Sequence, residues 1–263
     1  MTELSIQRFE PSGERKPLDD RLVVEEPLEI RLDSEPWLTT MRTPGYDEEL
    51  ALGLLFAEGL VDSRADVLSV RPCPKQKENS ADTLDVSLAQ PGVDERKPRA
   101  TLMSSSCGVC GRVQIDDLLQ RYGPVKQDAR FSAADIFGMT GKLRQAQRNF
   151  EHTGGIHAAA VVNPAGSFQV VREDIGRHNA VDKSFGRLLL DDALPPTASA
   201  LLVSGRCSFE ITQKAWRAGI EVVVSISAAS SLAVEMAERA GMTLIGFARE
   251  SGFNLYTGGE RII

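Results

Sequence analysis

Cys107 and Cys110 lie three positions apart in a run of small residues, Ser104-Ser105-Ser106-Cys107-Gly108-Val109-Cys110-Gly111-Arg112. Glycine lets the backbone bend freely, and no bulky neighbour in this run would bury the sulfur atoms. If a helix begins near Arg112, the helix dipole and the guanidinium would both favour the thiolate form. The pair therefore predicts a sulfur site that another molecule can reach.

Three kinds of chemistry fit this cysteine pair. A dithiol can open and close a disulfide, it can supply half of a zinc site, or one thiolate can carry a persulfide while the other releases or protects the sulfur. A zinc site would need two more ligands, and none of the candidates forms a second CxxC motif or a spaced histidine pair: Cys73, His152, His157 and Cys207. Spacing alone leaves the three alternatives open.

Four other segments combine glycine with charged or hydrogen-bonding residues. The segment Thr153-Gly154-Gly155-Ile156-His157 could bring a ligand close to the backbone, although a plain turn after a helix is the favoured interpretation of this segment taken alone. The run Arg172-Glu173-Asp174-Ile175-Gly176-Arg177-His178-Asn179-Ala180-Val181-Asp182-Lys183 is densely charged at a strand-to-helix junction, which favours a functional interpretation with Arg177 and His178 as ligand contacts.

The remaining two segments fall at strand ends, where α/β proteins bind ligands. They are Ser204-Gly205-Arg206-Cys207-Ser208-Phe209-Glu210 and Gly246-Phe247-Ala248-Arg249-Glu250-Ser251-Gly252. A Phe ring can stack on a base, and an Arg fork suits phosphate. Together the segments predict a crevice for a phosphorylated heterocycle.

Hydrophobic periodicity predicts the elements that position these segments. Residues 21–40 indicate a strand hairpin, residues 43–60 a helix, and residues 67–71, 84–88 and 100–103 short strands. Ser132 and Asp135 form a capping-box signal for a helix to about residue 150. Beyond it, strands at 157–162, 168–172, 201–204, 222–225 and 243–247 alternate with helices at 179–190, 209–218 and 231–240, which is typical of a layered α/β domain with a partly parallel sheet.

These elements suggest three regions in the 263 residues: a mobile polar arm at 1–20, a β-rich N-terminal domain at 21–125 that ends in the cysteine loop, and an α/β ligand-binding domain at 126–263. A net charge of −7 argues against a general nucleic-acid-binding surface. The sequence contains neither a membrane-spanning apolar run nor a signal peptide, so we expect a cytoplasmic protein without membrane or nucleic-acid partners. Its cysteines should then be mostly reduced.

In their order and spacing, the cysteine motif and the four glycine-containing segments resemble the formate dehydrogenase accessory sulfurtransferases of the FdhD type. The resemblance covers roughly residues 21–263 and is carried most specifically by the run at 172–183. It implies that Cys107 accepts sulfur as a persulfide from a cysteine desulfurase, with Cys110 assisting. It also implies transfer of that sulfur to molybdenum or tungsten held by bis-molybdopterin guanine dinucleotide, for use by the formate dehydrogenase apoenzyme.

The resemblance further implies that the guanine dinucleotide part of this cargo binds at Gly246, Phe247, Ala248, Arg249, Glu250 and Ser251. From the other segments we expect contributions from Gly154, Gly155, His157, Arg177, His178, Ser204, Gly205 and Arg206. We expect no permanent metal or cofactor, and we expect the protein to form a homodimer. The alternatives are a zinc-stabilised, non-catalytic nucleotide-binding module and a dithiol oxidoreductase.

The C-terminal half of this family is similar to the cytidine deaminase-like α/β fold. Zinc deaminases use a His-x-Glu motif, whose Glu moves protons, and a Pro-Cys-x-x-Cys motif further along the chain. Here Ala159 stands two positions after His157, and the cysteine pair precedes the histidine. The sequence therefore predicts the deaminase-like fold without deamination.

Overall fold

The structure is a computed structural model that describes residues 1–74, 81–90, 115–116 and 118–263. Cys107, Cys110 and the strand expected at 100–103 lie outside these ranges. The fold is a mixture of helices and strands arranged in three sheets of two, four and six strands. The predicted α/β class is therefore confirmed.

The first sheet is a hairpin of β1 (Thr2–Phe9) and β2 (Arg15–Leu22), where the sequence analysis expected an arm without regular structure. The strands pair antiparallel over their whole length, and Gly13 turns the chain between them with a φ of +84°. The signal that was missed is the alternation of Leu4 with Ile6, obscured by the polar composition around it.

The second sheet contains β3 (Glu26–Leu32), β4 (Glu35–Arg42), β5 (Val67–Cys73) and β6 (Asp82–Leu88), in the order β4-β3-β6-β5. Between its second and third strands lies α1 (Asp47–Glu58), which begins with three acidic residues at its positive end. A single 3₁₀ turn at Arg64–Asp66 leads into β5. The predicted hairpin, helix and strands of this region are confirmed.

The second half of the chain begins with α2 (Ala133–Ala146) and α3 (Arg148–Thr153) and continues through β7 (His157–Val162), β8 (Phe168–Asp174) and α4 (Arg177–Leu190). It ends with β9 (Ala200–Val203), α5 (Phe209–Arg217), β10 (Val222–Ser225), α6 (Ser231–Arg239), β11 (Thr243–Arg249), β12 (Gly252–Thr257) and a 3₁₀ turn at Gly259–Arg261. The capping box at Ser132 and Asp135 is present. The helix expected to reach residue 150 breaks at Gln147, and β12 was not predicted.

The strands β12-β11-β10-β9-β7-β8 form the third sheet, in that order. Strands β9, β10 and β11 are parallel, whereas β7 runs antiparallel to β9 and to β8. Because successive strand residues point to opposite faces, the sheet carries two apolar surfaces. One surface packs on α2 through residues such as Ile136, and the other packs on α4, α5 and α6.

The helix α1 packs against α4, and two glycines allow the backbones to come close. A Cβ atom on Gly53 would lie 1.9 Å from the Asp182 carbonyl oxygen, and one on Gly186 would lie 1.8 Å from the Glu49 carbonyl oxygen. The larger apolar cluster consequently contains residues from both sides of position 125, such as Leu52 and Phe185. The two halves therefore share core packing at this contact.

No helix in the part of the chain that the structure describes is long and apolar enough to cross a membrane.

Candidate functional site

One edge of the six-stranded sheet gathers the segments that the sequence analysis selected. The parallel strands β9, β10 and β11 end at this edge, and the antiparallel β7 begins there. The Ser204 hydroxyl after β9 accepts a hydrogen bond of 2.9 Å from the Ala158 amide of β7. This topology brings the turn around Gly154 and the loop after Val203 together, although they are distant in sequence.

A cleft of about 890 Å³ opens at this edge. Eight predicted site residues line it: Gly154, Gly155, His157, Ser204, Ala248, Arg249, Glu250 and Ser251. Seven further lining residues were not among those predicted from the sequence: Thr140, Gly141, Arg144, Gln147, Phe150, Ile156 and Ile226. Most of these lie in α2, in α3 or at the break between them, where the sequence carries no local signal of ligand binding.

The α2–α3 wall of the cleft combines an aromatic ring, a cation and an amide. The Arg144 guanidinium lies 4.0 Å from the centre of the Phe150 ring. The Gln147 side chain, which lies at the break between the two helices, is only 4% exposed, and its Nε2 atom has no hydrogen-bond partner among the described residues. A wall of this composition suits a planar, polar ligand.

Glu173 holds this wall in place from the neighbouring strand. Its carboxylate accepts hydrogen bonds of 3.0 Å from the backbone amides of both Asn149 and Phe150, at the start of α3. A carboxylate at this position satisfies helix amides that otherwise lack a partner. Glu173 therefore positions Phe150.

His157 begins β7 and is half-buried in the cleft wall. Burial lowers its pKa from the ordinary value, the positive charges of Arg177 and His178 lower it further, and Asp174 opposes the change. A neutral imidazole next to a guanidinium leaves this corner of the cleft attractive to an anion.

The rest of the charged run at 172–183 mostly makes structural contacts. Asp174, fully buried, pairs with Lys183 at 2.7 Å and also accepts from the Thr43 amide at 3.1 Å. Asp182, also fully buried, pairs with Lys214 of α5. Burial raises the pKa of Asp182, and the lysine opposes that shift. The ion pairs tie β8 and helix α5 to α4, hydrogen bonds to Thr43 tie the loop before α1 to the same place, and none of these residues lines the cleft.

Two predicted residues of that run lie beside the cleft rather than in its lining. Arg177 is the first residue of α4, and its Nε atom is buried with no partner among the described residues. His178 Nε2 lies 3.0 Å from Glu210 Oε2, and the pKa of that carboxyl is lowered chiefly by this contact.

The glycine positions show where backbone must approach a neighbour. A Cβ on Gly205 would lie 3.2 Å from His157 Nδ1, and one on Gly246 would lie 2.8 Å from the Tyr256 ring.

Gly246 and Phe247 lie inside β11, not after it, because the strand extends to residue 249. Phe247 has a φ of +52° and a side chain 45% exposed, and Arg206 is exposed.

The two described cysteines differ in environment. Cys73 ends β5 and is partly exposed, whereas Cys207 is fully buried beside Thr212 Oγ1 at 3.3 Å. Burial raises the pKa of the Cys207 thiol to about 11, so it stays protonated near neutral pH. Within the described residues, no group of three or more His, Cys, Asp and Glu side chains could hold a metal ion.

The fold is that of a mixed α/β protein, with a cleft at the strand-end edge of its larger sheet as the candidate site. The sequence model of the FdhD/NarQ family matches residues 23–263. The chain belongs to the FdhD/NarQ family.

Two relatives illustrate how far the similarity extends. The "Sulfur carrier protein FdhD" of Mycolicibacterium paratuberculosis is 48% identical over 252 residues, which is 92% of each chain. The protein of the same name from Saccharolobus solfataricus is 44% identical over 247 residues, covering 92% of this chain and 91% of its own.

A solved structure is also similar. A protein of Desulfotalea psychrophila with the provisional name formate dehydrogenase accessory protein matches with a TM-score of 0.79 and 26% identity, over 100% of this chain and 99% of its own. The similarity therefore extends to the whole arrangement of elements.

Proposed function

We propose that the protein is a sulfur carrier that serves formate dehydrogenase. Cys107 accepts sulfur as a persulfide from a cysteine desulfurase, and the sulfur passes to the metal of a bis-molybdopterin guanine dinucleotide bound in the cleft. The names of the relatives and the resemblance of the cysteine motif support this role.

The proposed transfer is balanced in two thiol exchanges. First, the Cys107 thiolate attacks the terminal sulfur of the desulfurase persulfide, so that a new S–S bond forms on Cys107 and the donor cysteine leaves as a thiolate. Second, the Cys110 thiolate attacks the inner sulfur of Cys107, which forms a Cys107–Cys110 disulfide and releases hydrosulfide to the metal. The thiols of Cys107 and Cys110 supply the two electrons that reduce the transferred sulfur to hydrosulfide. A dithiol reductant then reduces the Cys107–Cys110 disulfide back to two thiols.

The observation that carries the cargo-binding part of the proposal is the composition of the cleft. Two segments about 90 residues apart, at Gly154–His157 and Ala248–Ser251, meet there with a stacked Arg144–Phe150 pair. The ring and guanidinium would hold a planar base, while Arg249 and the corner beside Arg177 would hold phosphate. A guanine dinucleotide has both a planar base and phosphates, so it would satisfy both parts of the cleft.

The partners follow from the same role. We propose a cysteine desulfurase as donor, the formate dehydrogenase apoenzyme as the protein served, a cytoplasmic location and a homodimeric state.

Mass spectrometry of the loaded protein tests the carrier step. After incubation with a cysteine desulfurase and cysteine, the peptide that contains Cys107 and Cys110 should gain one sulfur atom, which a thiol reductant removes. Cys107→Ala should lose this gain, whereas the control Cys207→Ala should keep it because that thiol is buried and protonated. Bound zinc and no added sulfur would instead favour the zinc-stabilised module.

Binding of guanosine diphosphate, measured by calorimetry, tests the cleft. We expect binding by the wild type and weaker binding by Arg249→Ala. Absence of binding by the wild type would reject the proposed cargo site while leaving the sulfur-loading result intact.

A further inference from the structure

Gln147 continues the core-facing stripe of α2, which is apolar in the preceding turns. Ile136, Met139 and Leu143 follow one another on this stripe at spacings of three and four residues, and all three are fully buried. Gln147 comes four residues after Leu143 and is only 4% exposed. Because glutamine side chains are mostly exposed in proteins, burial alone does not explain a glutamine at this position.

The backbone of Gln147, and not its side chain, makes the break between α2 and α3. Its amide donates to the Leu143 carbonyl at 3.1 Å, and its carbonyl accepts from the Glu151 amide at 3.1 Å. The side-chain Nε2 atom is buried and has no hydrogen-bond partner among the described residues. The helix break therefore needs no amide on this side chain.

Gln147 lies where this stripe reaches the cleft. Two other lining residues, Thr140 and Arg144, lie on the same side of α2, seven and three residues before it. Phe150, the aromatic ring of the same wall, comes three residues after it. The wall therefore combines the ring proposed to stack on a base with a buried donor that lacks a partner.

We propose that the side-chain amide of Gln147 donates a hydrogen bond to an oxo group on the base of the cargo, so that the cleft selects a 6-oxopurine over a 6-aminopurine. This role rests on the cargo site proposed above and names the residue that sets its base specificity. The terminal amide of glutamine turns about a broad torsion, which lets its nitrogen reach the cleft when an acceptor is present.

The chemistry of the unpaired atom decides which base is preferred. A buried donor without a partner is destabilising, and an oxo group on the ligand supplies the missing acceptor. The amide oxygen could meet a 6-amino group instead, but Nε2 would then keep its buried position without a partner. Binding of a 6-aminopurine therefore leaves the cost of the unpaired donor in place.

The phosphates of the cargo have charged partners at other points of the site. Arg249 lines the cleft, and Arg177 lies beside it near His157. Guanidinium groups bind phosphate more strongly than a neutral amide does. Gln147 is therefore assigned to the base, which the Phe150 ring of the same wall would stack on.

Calorimetric titration of the full chain with inosine diphosphate and with adenosine diphosphate tests this role. The two nucleotides share the ribose and the diphosphate, whereas inosine carries the 6-oxo group and adenosine the 6-amino group. We expect the wild type to bind inosine diphosphate at least about tenfold more tightly than adenosine diphosphate. Gln147→Leu and Gln147→Met should each lower this ratio at least about fivefold, chiefly by weakening the binding of inosine diphosphate.

The matched control is Gln145→Leu, which makes the same change at an exposed glutamine of α2 outside the cleft lining. It should leave the affinity ratio unchanged. The Gln147 variants should melt at the wild-type temperature or above it, because each replaces an unpaired buried donor with an apolar group. A lower melting temperature together with equal weakening of both nucleotides would indicate a structural role and overturn the proposal.

NMR of the ¹⁵N-labelled protein observes the Gln147 side-chain amide directly, with its signals assigned from their absence in Gln147→Leu. Inosine diphosphate should shift these signals more than adenosine diphosphate does at the same occupancy. Equal affinities of the wild type for the two nucleotides, an unchanged ratio in both Gln147 variants, or amide signals that inosine diphosphate does not move would each overturn the role of Gln147 and leave the cargo site in place. A wild type that binds neither nucleotide would reject the cargo site itself, and sulfur loading remains the separate test of the carrier step.

Discussion

Glu173 links the charged run of β8 to the α2–α3 wall of the cleft. Its carboxylate is the acceptor for the Asn149 and Phe150 amides, each at 3.0 Å, and Phe150 in turn lies under Arg144. Glu173→Ala removes both acceptors, whereas Glu173→Gln keeps one oxygen and replaces the other with a nitrogen that cannot accept. The two substitutions therefore remove two bonds and one bond, respectively.

The magnitude follows from these bonds. A hydrogen bond to a charged group contributes about 1.5–3 kcal/mol, and loss of a helix cap costs about 0.5–2 kcal/mol. Because Glu173 is partly exposed and one carboxylate serves both amides, we expect about 2 kcal/mol for Ala and about 1 kcal/mol for Gln. For a chain of this size these values correspond to melting temperatures lower by about 4–8 °C and about 2–4 °C.

Differential scanning calorimetry measures the change in melting temperature of each variant. Titration with guanosine diphosphate measures how the loss of the Glu173 bonds changes the affinity of the cleft for this ligand. We expect affinity to fall in the same order as stability, because Phe150 loses its anchor. The control is Glu151→Ala, an exposed acid on the same helix, which should change unfolding by no more than about 0.5 kcal/mol. Equal melting temperatures for wild type and Glu173→Ala would refute the positioning role.

Two further perturbations test the helix contact and the electrostatics of the cleft. Gly186→Ala should lower the free energy of unfolding by about 3 kcal/mol in chemical denaturation, because the new methyl would overlap the Glu49 carbonyl. The control is Gly138→Ala in α2, which has open space around it and should be neutral or stabilising. Equal changes in the free energy of unfolding for the two variants would contradict the packing argument. In an NMR titration His157 should have a pKa below its ordinary value, so its contribution to stability is present above about pH 6.5 and is lost as the pH falls below that value. His157→Asn should therefore make the free energy of unfolding less dependent on pH in this range. A measured pKa above about 6.5 would contradict the half-buried, cation-flanked position of His157.

The sequence predicts the second half of the fold well because its buried strands are short apolar runs bounded by glycine and polar loops. The predicted strand at 222–225 has the same bounds as β10, and the helix predicted at 179–190 differs from α4 only at its first turn. Local patterns of this kind depend on burial along a single element, which the sequence records directly.

Contacts between elements that are distant in sequence cannot be predicted from local sequence patterns. The break at Gln147 depends on Glu173, whose carboxylate binds amides 23 and 24 residues away. For the same reason, the charged run at 172–183 is conspicuous in the sequence, whereas the pairing of its buried Asp182 with Lys214, 32 residues away, cannot be read from a local pattern. The cleft-lining residues of α2 could be identified only from the three-dimensional structure.

The contact between α1 and α4 has a consequence for synthesis on the ribosome. All eight residues from 49 to 56 of α1 are buried in the finished protein, yet α4 begins only at Arg177. At about 5–20 residues per second, α1 waits roughly 6–24 s for its partner helix to be translated. During that interval its leucine-rich surface is available to chaperones or to neighbouring chains, so translation speed between these helices influences the yield of folded protein.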